Sequence, residues 1–486
     1  MIDEDRIPVV VATAQRVERV ELIGALDLAE RVAVEALDQA PGLRPAIGRL
    51  SVVGILSPTG PAPATALAKR LGLTPGVCET TSIGGNTPQL LVTRAAADIA
   101  AGRLDATLIA GAEAMRSAKA GHRGLAKDAF GDPDPAIGDD RLGTGDAENA
   151  VGLILPVHIY AMIESAIAAR AGNTFEEHRA RMGRLLAPFS EVAATHPVAW
   201  FPERRTADEI ATPSPDNRIV AEPYTKRMTA ILNVDQGAAV VVCSLAAARA
   251  AGVADRAVFV WSGADCHDVW EPVARPDLTT SPAIAAAADA TLGAHGLGVD
   301  DVAAFDLYSC FPAAVEAATE AIGLAPEDPR GLTVTGGLPY FGGPGNNYST
   351  HGIATMVDRL RTGDEGACGL VSALGWYTTK HSYGLYGTSP PPSGFVNADL
   401  SARQRDIDAT ALPVAMTADG EGTVVASTVV YDGESAAMAP IIATLDDGRR
   451  VVAAAAPGQL PSLSGRNVVG ERVRVTGQPL SYEVIA

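Results

Sequence analysis

The chain has 486 residues, of which 47% are hydrophobic and 20% are charged. These proportions are typical of a globular protein, and the length exceeds what one compact core usually spans, so we expect two to four domains. The formal net charge of −19 excludes broad attraction to nucleic acid or to anionic membranes, and an anionic ligand would need a local basic patch.

The five cysteines are scattered along the chain and form no CxxC pair: Cys78, Cys243, Cys266, Cys310 and Cys368. This usage is typical of a reducing compartment, so we expect a cytoplasmic location. The sequence has no apolar run of about 18 residues and no signal-peptide pattern at its start, so we expect no membrane association. Its eight histidines lack HExxH spacing, which predicts no metal site, and it contains no GxGxxG or Walker loop.

Strand and helix patterns alternate through the first 110 residues. Strands are predicted at 8–14, 50–56, 76–83 and 106–110, and helices at 23–37, 63–71 and 88–101. This alternation with short connections favours a parallel sheet that helices cover on both faces.

The segment 119–227 differs from what precedes it. It begins with a Gly-, Asp- and Pro-rich stretch to residue 145, which predicts a loop. Two helices follow at 153–171 and 174–186, and Thr174 with Glu177 forms a capping-box pattern. We interpret the whole segment as an excursion from the core, either a lid or a binding segment. Core patterns then resume as strands at 237–243, 257–262, 302–308 and 368–373, and as helices at 282–294, 311–322 and 351–360.

Two strand-to-helix turns share one design. Residues 79–91 (ETTSIGGNTPQLL) run from a strand through Gly84, Gly85 and Asn86 into a helix, and residues 304–313 (AFDLYSCFPA) repeat the pattern. Because a helix N-terminus stabilises negative charge, each turn is a candidate site. Two turns, one per half, favour a duplicated α/β unit with one shared site, and chance similarity of two βα units is the alternative.

After the Ser-Pro-Pro-Pro break at 389–392, the predicted elements change from alternating strands and helices to short strands. Short strands with glycine or aspartate turns are predicted at 422–431, 437–445, 450–455 and 471–478. They predict a small barrel or sandwich, with an OB-like barrel as first choice. In this region acidic residues outnumber arginines and aromatic residues are few, so we do not expect a nucleic-acid groove.

Four dispersed segments resemble thiolase motifs, in the order in which that family has them. They are 108–117 (LIAGAEAMRS, like AGGxExMS), 233–241 (NVDQGAAVV, like the segment that re-enters the core), 308–311 (YSCF, like HDCF) and 336–344 (GGLPYFGGP, like the GG…GHP loop). The chain thus resembles the thiolase superfamily from about residue 8 to residue 388. The resemblance is strongest to mycobacterial-type thiolase-like proteins of type 1, which lack the nucleophilic cysteine and carry an extra C-terminal domain.

This resemblance implies an α/β fold: a thiolase-like duplicated βαβ unit in five layers (α-β-α-β-α), with an inserted lid and a C-terminal OB-like β-barrel. The implied boundaries are 1–118 for the N-terminal half, 119–227 for the inserted lid, 228–252 for the return to the N-terminal half, 253–388 for the C-terminal half and 389–486 for the additional β domain.

The resemblance also identifies the positions at which this chain differs from the family. The nucleophilic cysteine falls on Gly84, the GHP histidine on Gly343, the HDCF histidine on Tyr308, and the cysteine of the CxG motif near Ser372. Only Cys310 matches a catalytic position, that of the acid/base cysteine of the sterol-carrier type. Because glycine cannot accept an acyl group and both histidine donors are missing, we expect no conventional thiolase turnover.

The candidate catalytic residues are Cys310, Tyr308, Tyr348 and His351. Cys310 precedes a predicted helix, a position that lowers the pKa of a thiol, although a lone cysteine is most often a small buried hydrophobe. Tyrosine is a poor base near pH 7 unless its pKa is shifted, and most tyrosines simply pack. His381 is a further histidine that could face the site. The candidate ligand-binding residues are Gly84, Gly85, Asn86, Gly343, Asn346 and Gly375.

By resemblance, the chain is a coenzyme A or acyl-CoA binding protein, acetyl-CoA acetyltransferase-like but without thiolase turnover, and it requires no other cofactor. Two alternatives stay open. One is a retro-aldol lyase that acts on acyl-CoA thioesters, uses tyrosines and needs an OB-fold partner, here fused. The other is a non-enzymatic scaffold or nucleic-acid-binding protein acting through the barrel.

The sequence also predicts a monomer or a weak homodimer. Thiolases dimerise by pairing the strand before the nucleophile with its twin, and here that strand (76–82) carries Glu79. A charge on an exposed edge strand opposes such pairing, and two opposed glutamates repel each other.

Overall fold

The structure is a computed structural model that describes residues 3–122 and 124–485. The first half contains β1 (Pro8–Val17), α1 (Ala25–Asp38), β2 (Ile47–Val52), α2 (Pro63–Arg70), β3 (Val77–Thr81), α3 (Thr87–Ala100), β4 (Ala106–Ala114) and α4 (Met115–Lys119). The insert contains β5 (Ala136–Ile137), α5 (Asp146–Ala150), α6 (Pro156–Arg170), α7 (Phe175–Thr195), α8 (Ala207–Ala211), β6 (Ile219–Ala221) and β7 (Tyr224–Thr225).

The chain then returns to the core. The return and the second half contain β8 (Asp235–Ser244), α9 (Leu245–Ala250), β9 (Val258–His267), α10 (Pro282–Gly293), β10 (Ala304–Asp306), α11 (Pro312–Ile322), α12 (Tyr348–Arg361), β11 (Cys368–Gly375) and β12 (Lys380–Gly387). The C-terminal region contains β13 (Val396–Asn397), α13 (Ser401–Asp408), β14 (Gly420–Ser427), β15 (Val430–Asp432), β16 (Ser435–Met438), β17 (Pro440–Leu445), β18 (Arg450–Ala455), α14 (Leu460–Leu463), β19 (Arg472–Gly477) and β20 (Leu480–Val484).

The core has the layered architecture that the resemblance implies. Strands run in the order β10-β11-β12-β9-β1-β8-β4-β2-β3-β5, and two residue pairs join the halves between β1 and β9. Helices α3 and α12 lie between the two half-sheets, where Val92 and Met356 share one apolar cluster with strand residues of both halves. Helix α1 covers the outer face of one half-sheet, and α10 covers that of the other. The predicted five-layer α/β fold is therefore confirmed.

The sheet is mixed, so the expectation of a parallel sheet is wrong in part. Strands β2, β3 and β4 pair in parallel, but β1 and β4 both flank β8 antiparallel, and β12 pairs antiparallel with both β11 and β9. Strand β12 has no counterpart among the predicted elements. Its sequence, KHSYGLYG, lacks the apolar run of a buried strand, although all eight residues are buried.

The C-terminal region forms a closed five-stranded barrel in the order β14-β17-β18-β20-β19, which confirms the predicted C-terminal β-barrel. The barrel packs on the insert. The Ser427 amide donates to Ser165 Oγ of α6 at 3.0 Å, and the Asn467 side chain donates to the Ser165 carbonyl at 2.8 Å. Strand β15 also pairs with β6 through Val430 and Ala221. The capping box at the start of α7 is confirmed as well.

Glu79 does not lie on an exposed edge, so that argument for a monomer is wrong. Its carboxylate is 2% exposed and accepts hydrogen bonds from Ser51 Oγ and from Arg94, each at 2.8 Å. The outer edge of β3 is instead covered by β5, since the Thr80 amide donates to the Pro135 carbonyl at 2.9 Å. An edge that is already paired cannot accept a second copy of β3.

We therefore expect a monomer whose state is independent of the charge at position 79. Light scattering at micromolar concentration should give a mass near 49.9 kDa at both low and high salt. The Glu79→Gln variant should give the same mass, because β5 and not the carboxylate occupies the edge. A dimer of the wild type, or dimerisation of the variant alone, would contradict this account.

Within the described part of the chain, every helix is too short or too polar to span a bilayer.

Candidate functional site

A cavity of about 390 Å³ lies where the two strand-to-helix turns meet the start of α6. Gly84 and Gly85 line it from the first turn, Tyr308 and Cys310 from the second, and Tyr160 from α6. Both turns therefore reach one site, as the sequence predicts. Among the described residues, none of the lining side chains is charged, and the apolar lining includes Leu56, Ile83, Leu155, Leu232, Leu338 and Leu374.

A larger groove, of about 750 Å³, lies elsewhere and is lined by residues such as Gln15, Val192 and Asp358. None of the site residues predicted from the sequence lines this groove. The smaller cavity is therefore the candidate site.

The backbone at Gly84 is held by Asn346. The Gly84 amide donates to Asn346 Oδ1 at 2.8 Å, and Asn346 Nδ2 donates to the Gly54 carbonyl at 2.8 Å. Both polar ends of the Asn346 side chain are thus in use, although the residue lines the cavity. Asn346 fixes the turn in this arrangement.

Lys380 occupies the space in which a side chain at position 84 would lie. Gly84 has a φ of 157°, and a Cβ atom there would lie 2.4 Å from Asn86 Oδ1 and 2.8 Å from Lys380 Nζ. The ammonium group donates to the carbonyls of Ile83 and Asp139 at 2.5 and 3.0 Å. Burial lowers the pKa of Lys380 to about 8. The position that holds the thiolate in thiolases is therefore filled by a buried amine from β12.

Sequence reasoning missed Lys380 because β12 was not predicted. Gly375 and Lys380 are paired residues of the β11–β12 hairpin, which brings the lysine back to the first turn. A Cβ atom at Gly375 would lie 2.5 Å from Asn86 Oδ1 and 2.9 Å from Lys380 Cε. Gly375 and Asn86 thus belong to the wall around Lys380 rather than to the lining of the cavity.

Tyr308 enters the cavity over Gly85. A Cβ atom at Gly85 would lie 2.3 Å from Tyr308 Oη, so glycine is needed there for the ring to fit. The Tyr308 amide donates to Ser372 Oγ at 2.8 Å, whereas its hydroxyl makes no hydrogen bond within 3–122 and 124–485. Burial raises the pKa of Tyr308 well above its usual value. The phenol is therefore a proton-bearing donor near neutral pH.

The Cys310 thiol is not activated, contrary to the expectation from its place before a helix. It is 7% exposed, and burial raises its pKa to about 12. Its neighbour is the Tyr160 hydroxyl, which donates to the Trp376 carbonyl at 3.0 Å and accepts from the Thr378 amide at 2.9 Å. The loss of solvation raises the pKa of this thiol more than the helix N-terminus lowers it, so Cys310 stays a neutral thiol.

The β11–β12 hairpin closes one side of the cavity in a strained conformation. Trp376 and Thr378 have φ values of 58° and 52°, a region that β-branched and bulky residues rarely adopt. The buried Arg275 holds the turn by donating to the Tyr377 carbonyl at 2.7 Å and to Thr379 Oγ1 at 2.9 Å. Strain of this kind persists only where the surroundings fix it, and it concentrates at functional sites.

Tyr348 and His351 lie behind the cavity and do not line it. Tyr348 is fully buried, its ring packs edge-on against Tyr308 at 5.3 Å, and its hydroxyl shares a hydrogen bond with Thr335 Oγ1 at 2.6 Å. His351 Nδ1 lies 2.9 Å from Gln15 Oε1. Both side chains thus support the wall that carries Tyr308.

Two other candidate residues, Gly343 and His381, do not line the cavity. The Gly343 amide donates to the Ile231 carbonyl at 2.9 Å, and the residue is outside the lining of the cavity. His381 Nε2 lies 3.3 Å from Asp268 Oδ2, and Asp268 in turn accepts from the amide of Ala283 in the first turn of α10. His381 therefore stabilises the outer helix layer.

His351 predicts a loss of stability in acid. Burial lowers its pKa to about 3, so it stays neutral in the folded chain while it gains a proton near pH 6.5 in the unfolded chain. Stability is unaffected above pH 6.5 and falls below it, and at pH 5 the cost is about 2 kcal/mol. Urea titrations at pH 7, 6 and 5 should show this decline, and His351→Gln should remove about 2 kcal/mol of it. An equal decline in the variant would contradict the assignment.

Comparison with solved structures gives full-length similarity to the crystal structure of a monomeric SCP2-thiolase-like protein type 1 from Mycobacterium smegmatis. The two sequences are 35% identical over 100% of both chains, with a TM-score of 0.86. Comparisons with protein-family models and with curated proteins give no match. The chain belongs to the SCP2-thiolase-like proteins of the thiolase superfamily.

Two further solved structures match the core. An Ltp2-ChsH2(DUF35) aldolase matches 79% of this chain and 98% of its own, with a TM-score of 0.60 and 19% identity. Acat5 thiolase from Ascaris suum, in complex with coenzyme A, matches 78% of this chain and 99% of its own, with a TM-score of 0.56 and 16% identity. At these identities the two matches show the fold alone.

Proposed function

We propose that the chain binds an acyl-CoA thioester in the cavity between the two turns and does not perform conventional thiolysis. The observation that carries this is the Gly84 turn, where the thiolase nucleophile is replaced by glycine and its space is taken by Lys380. The remaining thiol in the cavity, Cys310, is neutral at physiological pH and cannot form an acyl-enzyme efficiently.

The lining of the cavity selects the part of the ligand that enters it. Because no charged side chain lines the cavity in the described part of the chain, the phosphates of coenzyme A are expected outside it, and the thioester and acyl group inside. Tyr308 Oη is then an available donor for the thioester oxygen. Coenzyme A with a free thiol would fill less of the apolar volume, so it should bind more weakly than an acyl-CoA.

A cavity-filling substitution tests this assignment. Val157 lines the cavity from the first turn of α6 and is half-buried, so Val157→Trp should fill the volume and lower the affinity for acyl-CoA at least about tenfold in calorimetric titration. Val192 is also half-buried on a helix but lines the larger groove, so Val192→Trp is the matched control and should bind as the wild type does. Equal affinities in the two variants would contradict the site.

A retro-aldol lyase is the second candidate function. It is favoured by Tyr308, whose hydroxyl has no hydrogen-bond partner among the described residues, and by the barrel that packs on α6 within the same chain. Because burial raises the pKa of Tyr308, the phenol keeps its proton and can donate a hydrogen bond to the thioester oxygen, but it cannot act as a base near neutral pH. Cleavage of a β-hydroxyacyl-CoA that Tyr308→Phe abolishes would favour this function over simple binding.

A role for the barrel in nucleic-acid binding gains no support from its charges. Arg449, Arg466, Arg472 and Arg474 of the barrel pair with carboxylates, among them Arg472 with Asp446 at 2.6 Å and Arg466 with Glu471 at 3.0 Å, and the buried Arg450 donates to the carbonyls of Arg275 and Pro276. A backbone-tracking groove needs unpaired cations and stacking platforms. The cytoplasmic location, the domain boundaries and the binding roles of Gly343 and Gly375 stay predictions.

A further inference from the structure

Three buried side chains from three helices come together in the core, outside the lining of the cavity. They are Glu164 of α6, His178 of α7 and Glu316 of α11, with exposures of 0%, 0% and 6%. One ligand atom of each lies within 4.8 Å of the others. Helices α6 and α7 belong to the insert and α11 to the second half, so the cluster joins the two.

Some polar atoms of this cluster lack hydrogen-bond partners among the described residues. His178 Nε2 lies 2.5 Å from Glu164 Oε1, and the Tyr224 hydroxyl donates to Glu164 Oε2 at 2.7 Å. In contrast, neither carboxylate oxygen of Glu316 has a hydrogen-bond partner within the described ranges. Among the described residues, Glu316 forms a salt bridge with Arg181, which lies 3.5 Å from Oε1 and has a side chain that is 39% exposed. Buried polar atoms are almost always hydrogen-bonded, so a buried carboxylate that lacks a hydrogen bond within the described residues and lies beside two ligand atoms indicates a missing partner.

We propose that Glu164, His178 and Glu316 bind a divalent transition-metal cation such as Zn²⁺ or Mn²⁺. One imidazole and two carboxylates are ordinary ligands for these ions, and helix faces that meet in a core are an established place for them. Two carboxylates and a neutral imidazole also balance the charge of the ion without leaving a buried net charge. Bond lengths of about 2.0–2.2 Å require the three side chains to move by less than about 1 Å.

The cation stabilises the wall of the cavity. Glu164 lies one helical turn after Tyr160, whose hydroxyl contacts the strained hairpin at Thr378. Tyr224, the partner of Glu164, stacks on Phe311 at 5.6 Å, and Phe311 lines the cavity. A bound ion therefore fixes α6 against α11 and, with it, one side of the cavity. The inference does not depend on the identity of the thioester ligand.

The test is metal binding to the full-length protein after treatment with chelator. Titration with Co²⁺ should give about one ion per chain and the visible absorption bands of a protein site, and Zn²⁺ should displace them. Zn²⁺ should also raise the melting temperature of the wild type by several degrees. The Glu316→Gln variant should lose both effects, with at least about 100-fold weaker binding.

Glu320, one turn further along α11, provides the matched control. It is half exposed and pairs with Arg170 on the surface, so Glu320→Gln should bind Co²⁺ as the wild type does. If wild-type protein neither binds Co²⁺ at micromolar concentration nor gains stability with Zn²⁺, the proposal is overturned. It is also overturned if Glu316→Gln binds like the wild type. Should that variant fail to fold, His178→Gln and the wild-type stoichiometry still decide the matter.

Discussion

The substitution Gly85→Ala adds one methyl group and should disrupt the candidate site strongly. The added Cβ would lie 2.3 Å from Tyr308 Oη and 2.5 Å from the Leu374 carbonyl, so both the ring and the end of β11 must move. We expect a loss of about 3 kcal/mol in the free energy of unfolding, at the upper end of overpacking effects. Calorimetric titration should show at least a tenfold loss of affinity for acyl-CoA, because Tyr308 is displaced into the cavity.

Gly293→Ala is the control for this substitution. Gly293 is the last residue of α10, and a Cβ atom there would meet nothing within 4 Å. Alanine is favoured over glycine in a helix, so this variant should be at least as stable as the wild type and should bind normally. If Gly85→Ala retains both stability and affinity, Tyr308 is not held over Gly85 in the way described.

Cysteine at position 84 should not restore a thiolase. Its Cβ would lie 2.4 Å from Asn86 Oδ1 and 2.8 Å from Lys380 Nζ, and a φ of 157° disfavours a side chain. We expect a loss of about 1–3 kcal/mol in stability and no thiolysis of acetoacetyl-CoA, since the family's two histidine donors are also missing. Lys380→Ala in the same background should recover part of the stability by removing Nζ and Cε, still without turnover.

Gly131→Cys controls for the added thiol, because a Cβ atom at this exposed glycine would meet no atom of the described residues within 4 Å. Its stability should match the wild type. Thiolysis by Gly84→Cys above the level of this control would show that a nucleophile at the first turn is enough, and would contradict the role given to Lys380.

Much of the fold could be predicted from the sequence because its signals are local. The capping box of Thr174 and Glu177, the glycines of the first turn and the strand–turn pattern of the barrel each depend on residues close together in the chain. Strand β12 escaped prediction because its polar residues are paired by distant partners. His381 contacts Asp268 at 3.3 Å, and Tyr386 donates to Gln89 at 2.7 Å.

The parts of the site that the sequence did not predict depend on burial and on distant contacts. Cys310 precedes a helix, but the loss of solvation raises the pKa of its thiol, and burial cannot be judged from neighbouring residues. From the sequence, Glu79 is interpreted as a charge on an edge strand, because the sequence does not show that the fold places Arg94 and Ser51 beside it. Lys380 and the three ligands of the proposed metal site come from segments with no common motif.

One experiment tests the central claim most directly: calorimetric titration of wild-type protein with acetyl-CoA and a longer acyl-CoA, combined with a thiolysis assay on the same sample. The account predicts saturable binding, tighter for the longer acyl group, with no cleavage of acetoacetyl-CoA above a buffer control. Turnover that disappears in Cys310→Ala would contradict it, because a thiol with a pKa of about 12 would then be acting as the nucleophile. A calorimetric titration that gives no heat at millimolar acyl-CoA would also contradict it.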